Sequence, residues 1–304
     1  MTTIPSEPAG TTRRWTGEAP RALPSGEVAD PGAALFEPVL DRVSARHARV
    51  YGARRLEPEV MDEAGAAEAY MSAAGEAHLA RLDASWIERV VAFGPRGGAR
   101  VLDVGAGGGQ IPARIARRRP DWRIWAVDRS GSMLTAGAAG ITGARHRAVF
   151  ALEPFRVGLA LAEARALPFP DGAFDLVISN SLLHHIGDPT PVLDEIARVA
   201  HPSGRVLLRD LRRPPRGLMR AWVAWHGRHY GGEMRRLYED SVAAAFTPAE
   251  LAIVIRHSRL VGAAVAVAGP YLVVTREEAN RRGLQLAARP GSPRKPTPPP
   301  EERP

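Results

Sequence analysis

Short apolar runs alternate with longer stretches of helical periodicity through the middle of this chain, and that alternation predicts its elements. Runs that read as strands begin near Arg100, Arg123, Arg156, Phe174 and Gly204. Helices lie between them, one starting after Thr190 with Pro191 in first position, where a missing N–H costs nothing. Ahead of the first strand, Ala66–Phe93 is mostly helix formers, with Met71, Leu79, Leu82, Trp86, Ile87, Val90 and Val91 on its apolar face. After Leu208 comes an insertion, Leu211–Phe246, that reads as helical. A further helix opens at Thr247, with Pro248 at N1 and Glu250 placed to complete a capping box. Two closing strands follow, around Val261–Val267 and Tyr271–Val274. Alternating strands and helices predict an α/β fold, a mostly parallel sheet with helices on both faces.

The same reading divides the chain. Residues 1–35 are rich in Pro, Gly and Thr and are expected to be disordered. Residues 36–95 read as a helical cap and 96–276 as the ligand-binding α/β domain, with 211–246 as its lid. Residues 277–304 form an extension, Pro-rich and flexible from about 285.

The first strand leads into Val101-Leu102-Asp103-Val104-Gly105-Ala106-Gly107-Gly108-Gly109. Glycines at alternate positions let the backbone turn sharply and let a ligand approach main-chain N–H groups. About 20 residues on, the run Ile124–Val127 ends in Asp128, where an acid accepts both hydroxyls of a ribose. The ligand is therefore adenosine-like. A dinucleotide fingerprint fails because Gln110 stands where its third glycine belongs, and a phosphate-binding P-loop fails for want of lysine.

The remaining pattern, Asp-x-Gly-x-Gly-x-Gly, resembles the class I S-adenosylmethionine-dependent methyltransferases. The run Glu163-Ala164-Arg165-Ala166-Leu167-Pro168-Phe169 through Phe174-Asp175-Leu176-Val177-Ile178-Ser179 is similar to later motifs of that superfamily. Ser179–Pro189 and Val199–Leu208 are similar to its small-molecule branch, typified by ubiquinone and menaquinone biosynthesis methyltransferases. The resemblance covers roughly residues 66–275 and adds a closing antiparallel strand, giving a Rossmann-like, seven-stranded sheet. It implies S-adenosyl-L-methionine as cofactor, held by Asp103, Gly105, Ala106, Gly107, Gly109, Asp128, Arg129 and Met133, with Glu163 toward the adenine and Ala164, Ser179 and Asn180 beside it. Tyr70 is placed to close over the cofactor.

Attack on a sulfonium methyl is a direct displacement, so alignment and water exclusion carry most of it. Ligands of open α/β sheets bind at the carboxyl ends of the strands. His184 and His185, just past the fourth strand, and Asp210 and Arg213, past the fifth, therefore face the acceptor. His185 is the expected general base and His184 the structural partner. No metal site is expected, because His184, His185 and Asp188 have no established ligand spacing.

Composition sets limits. The 304 residues carry a net charge of +8 and no cysteine, which excludes disulfides, thiolate metal sites and a cysteine nucleophile. Lys295 is the single lysine and lies in the tail, so Schiff-base chemistry on the domain is excluded. With no apolar leader and no run long enough to span a bilayer, the chain reads as cytoplasmic. Nine arginines fall within 205–236, interleaved with Trp222, Trp225, His226, His229 and Tyr230. They read equally as a binding surface for an anionic or planar acceptor and as a solvated helix face. The expected partner is thus a small, planar or anionic metabolite accepting a methyl on oxygen, carbon or nitrogen. An RNA or protein acceptor docking on the arginines, and a cofactor-binding protein without turnover, are the alternatives. The first lacks an Asn/Asp-Pro-Pro-Tyr signature, since Ser179-Asn180-Ser181-Leu182 stands there.

Overall fold

The computed structural model describes residues 45–57, 77–142, 149–152 and 157–277. The two expected tails, Tyr70 and the first part of the Ala66–Phe93 helix lie outside the described residues. The strands are β1 (Arg100–Val104), β2 (Arg123–Asp128), β3 (Val149–Leu152), β4 (Val157–Leu161), β5 (Phe174–Asn180), β6 (Ala200–Leu211), β7 (Ala264–Ala268) and β8 (Tyr271–Arg276). Their order across the sheet is β3-β4-β2-β1-β5-β6-β8-β7. Strands β4, β2, β1, β5 and β6 run parallel, and β8 runs antiparallel to both β6 and β7. This is the expected seven-stranded sheet. A four-residue edge strand, β3, is added antiparallel to β4.

Central strands are apolar throughout because both faces are covered. Leu102 and Val104 of β1 point to one core with Val177, Val206 and Leu251, while Val101 points to the other with Ile87, Ile115 and Ile124. The helices are α1 (Ala45–Tyr51), α2 (Ala77–Phe93), α3 (Gln110–Arg118), α4 (Gly131–Thr142), α5 (Thr190–Val199), α6 (Met219–His226), α7 (Gly232–Ala244) and α8 (Pro248–His257). The capping box read from sequence is present: Glu250 N–H donates to Thr247 Oγ1 at 3.3 Å, and Thr247 N–H to Glu250 Oε2 at 2.8 Å.

Much of the arginine-rich segment holds the fold together. Arg209 is buried between the rings of Trp86 and Tyr271, 4.9 and 4.7 Å from their centroids, and donates to Asn180 Oδ1 at 2.6 Å. Arg205 donates to Phe93 O at 2.6 Å, and Arg212 lies 4.7 Å from the Trp222 ring. Arg213, expected at the acceptor, is instead buried in an ion pair with Glu250. Its backbone N–H bonds to Phe246 O at 3.0 Å, and it is not among the residues lining the cavity.

Strand β1 has β2 on one side and β5 on the other, so chain connections leave it in opposite directions. A crevice opens at such a switch point, beyond the carboxyl ends of the strands.

Candidate active site

The crevice begins where β1 ends. Gly105, Gly107 and Gly109 have φ of 74°, 55° and 78°, a region that favours glycine. Gly105 and Ala106 donate to Val127 O at 2.9 and 3.0 Å, folding the loop over the end of β2. Sterics reinforce the spacing: a Cβ on Gly105 would meet Leu182 at 2.8 Å, and one on Gly109 would meet Leu159 at 2.9 Å. One glycine carried no signal in the motif. A Cβ on Gly137 of α4 would lie 1.9 Å from Gly108 O, so α4 rests directly on the loop.

Asp128 closes the loop from below. Its Oδ2 accepts from Gly107 N–H at 2.7 Å and its Oδ1 from Ser130 N–H at 2.8 Å. Burial still raises its carboxyl above the ordinary value. Asp103 is buried, 2% exposed. Burial, then the nearby charge of Asp128, pushes its carboxyl up to about 8. Two confined acids beside a cavity suit a ligand that brings positive charge.

That cavity has a volume of about 350 Å³. At one end it is lined by Asp103, Gly105, Ala106, Gly107, Asp128, Arg129, Met133, Glu163 and Ala164, with Asn180 farther along. These are ten of the twelve residues expected at the cofactor. Gly109 shapes the loop from behind and is not in the wall. Ser179 is also outside it: its hydroxyl donates to Val104 O at 2.6 Å, joining β5 to β1.

The other end is built by segments far apart in the chain. Leu182, Ile186, Leu211, Tyr230, Met234, Leu237, Tyr238 and Ser241 line it. Residues 234, 237, 238 and 241 lie on one stripe of α7 that faces the cavity. None of the nine arginines of residues 205–236 is in the described wall, whose arginines are Arg129 and Arg165. Arg209 and Arg212 pack against aromatic rings, Arg213 pairs with Glu250, and Arg216 and Arg220 are exposed.

Both histidines reach this end, in a short 3-10 turn, Leu183–His185. Asp210 lies behind that turn and not at the acceptor. Its Oδ2 accepts from Leu183 N–H at 2.5 Å, and its Oδ1 accepts from Leu211 N–H at 2.6 Å and from His184 Nδ1 at 2.5 Å. Burial pushes the His184 imidazole down, and Asp210 more than reverses this, leaving it above its ordinary value. His184 is the ring oriented by a buried carboxylate, whereas His185 is partly exposed and pairs with Glu57 through Nδ1.

Glu57 carried no sequence signal. Burial works against its ionisation, but the hydrogen bond from His185 and the charges of both histidines hold its carboxyl down to about 2. It is delivered by the segment after α1, which Gly52 ends with φ 72° and a bond to Ala48 O at 2.9 Å. Arg54 fixes that segment across the histidine turn, donating to the carbonyls of His184 and Ile186 at 2.8 Å and Gly187 at 3.0 Å.

Residues 102–208 match the family model of a methyltransferase domain. The demethylmenaquinone methyltransferase of Roseiflexus castenholzii is 33% identical over 47% of this chain and 56% of its own length. The ubiquinone/menaquinone biosynthesis C-methyltransferase of Geobacter sulfurreducens is 32% identical over 38% of this chain and 43% of its own. The 27-O-demethylrifamycin SV methyltransferase of Amycolatopsis mediterranei is 35% identical over 38% and 39%. The chain thus spans about half the length, or less, of these curated relatives. A solved Methanococcus maripaludis structure, described as a candidate S-adenosyl-L-methionine-dependent methyltransferase, shares the fold with a TM-score of 0.55 at 14% identity, over 74% of this chain and 98% of its own. Among the described residues no helix is long and apolar enough to cross a membrane.

Proposed function

We propose that this chain transfers a methyl group from S-adenosyl-L-methionine to a small, planar and largely apolar acceptor. The observation that carries the reading is the single cavity with two unlike ends. One is a glycine cradle with two buried acids, and the other is an apolar and aromatic chamber roofed by α7. The cradle fits the cofactor. Asp128 suits its ribose and Asp103 its cationic portion. Glu163 stands at the adenine position, and Met133 and Ala164 pack beside it. The group supplies an electrophilic methyl on a sulfonium.

The acceptor end is largely apolar and its Glu57 carboxylate is already paired with His185, which suits a neutral ring. The relatives do not choose the acceptor atom, because at similar identity one is named for carbon and another for oxygen methylation. Labelled-methyl transfer into cell extract, split into small-molecule, RNA and protein fractions, tests the reading. Label is expected in the small-molecule fraction, extractable into organic solvent. Label confined to RNA or protein would overturn it.

A further inference from the structure

Glu57, His184 and His185 place one ligand atom each within 4.8 Å of one another at the acceptor end, the one such trio among the described residues. We propose that this trio is a binding site for a divalent transition-metal ion, with zinc as its simplest occupant. His184 Nε2 lies 4.0 Å from Glu57 Oε1, and His185 Nδ1 pairs with the other oxygen of the same carboxylate. Bonds of ~2.0–2.2 Å to nitrogen and oxygen place neighbouring ligand atoms roughly 3–3.5 Å apart around a tetrahedral ion. Side-chain adjustment of about an ångström, without movement of the backbone, closes the trio around one ion.

Three features outside the trio support this. The first is Asp210, whose Oδ1 accepts from His184 Nδ1 at 2.5 Å. That bond orients the ring with Nε2 toward Glu57, the carboxylate–histidine arrangement that orients metal ligands. The second is rigidity. Asp210 also accepts from the Leu183 and Leu211 N–H groups, and Arg54 ties down the carbonyls around the turn, so the backbone that carries both histidines is held before any ion arrives. The third is access. All three residues border the cavity, so an ion held by two imidazoles and one carboxylate keeps open positions toward the acceptor, as catalytic ions do. Imidazole with carboxylate favours first-row transition metals over magnesium or calcium, which take oxygen ligands. Asp188, the acid closest in sequence, is not a ligand: its Oδ1 accepts from Thr190 N–H at 2.9 Å at the start of α5.

The ion site stands independently of the methyl-transfer reading; its role toward the acceptor rests on that reading. An acceptor hydroxyl bound to the ion gives its proton to solvent water more readily and presents an anionic oxygen to the methyl. The acceptor class is then a hydroxylated, apolar ring system methylated on oxygen.

Calorimetric titration of tag-free, chelator-treated full-length protein with zinc chloride tests the site, with Glu57→Gln, His185→Ala and His201→Ala variants alongside. His201 is exposed and distant, hydrogen-bonded to Ser203. One equivalent of zinc is expected for wild type and for His201→Ala. Affinity should fall at least about tenfold in each of the other two variants. Binding well below one equivalent, or affinity unchanged in both Glu57→Gln and His185→Ala, would overturn the proposal. Titrating the same samples with S-adenosylhomocysteine separates the two readings. Zinc without S-adenosylhomocysteine binding contradicts methyl transfer and leaves the ion site standing, whereas the reverse result contradicts the ion site alone.

Discussion

The two ends of the cavity are made in different ways. The cofactor end is local: Asp103 to Gly109 and Asp128 sit on adjacent strands, and the contacts are between backbone N–H groups and one carboxylate. The acceptor end is assembled from distant pieces, Glu57 meeting His185 across 128 positions and His184 meeting Asp210 across 26, with α7 laid over them. A local site of glycines and one acid survives wide change in the rest of the chain. A site made of long-range side-chain contacts is free to vary, which is how one fold hosts many acceptors. If that contrast holds, substitutions at the two ends should separate cleanly in their effects.

The largest separation is expected at Asp210. Asp210→Ala leaves His184 and two buried N–H groups without their partner, and breaking a buried pair costs ~3–5 kcal/mol. Urea unfolding should show that loss, while S-adenosylhomocysteine affinity of the folded fraction stays near that of wild type. A loss below about 1 kcal/mol, the worth of one ordinary hydrogen bond, would mean that Asp210 does not hold the acceptor end together. Next is Asp128→Ala at the other end. It removes the acceptor of two loop N–H bonds and the ribose contact together, and about 3 kcal/mol of cofactor affinity should go, with little change in zinc binding. Retained cofactor affinity would remove the basis for reading the cofactor end as local.

Asp103 gives a smaller effect with a definite sign. Its folded carboxyl is pushed up to about 8, so between the unfolded value near 3.8 and about 8 the folded chain holds a proton that the unfolded chain has lost. Stability contributed by this group is therefore present at low pH and lost as pH rises through that window. Melting temperature measured across it should fall less steeply in Asp103→Asn than in wild type. An identical slope would show that Asp103 ionises normally. The smallest effect is expected for Arg216 and Arg220, both exposed and outside the cavity wall. Replacing both by alanine should alter stability by no more than about 0.5 kcal/mol and leave cofactor affinity unchanged.

These differences follow what sequence can and cannot carry. The strands, the glycine turn, Asp128 and the Thr247–Glu250 capping box were legible because each rests on contacts within a few residues or between neighbouring strands. Ser179 and Asn180 show where legibility stops. Both end the same strand, yet one side chain bonds to β1 and the other reaches the cavity. Asp210 and Arg213 lie at the expected strand end, but their partners, His184 and Glu250, turn them away from the acceptor. Glu57 was silent because its place is set by Gly52, Arg54 and a turn more than a hundred residues away. The helical stripe at 234, 237, 238 and 241 was present in the sequence, but only the structure shows which way it faces.

Titration of the wild-type protein with S-adenosylhomocysteine, with NAD and ATP as controls, bears most directly on the cavity's cofactor end. Binding at one site per chain in the micromolar range is expected, with none for NAD or ATP. Absence of S-adenosylhomocysteine binding by the folded protein, or equal binding of NAD, would contradict it.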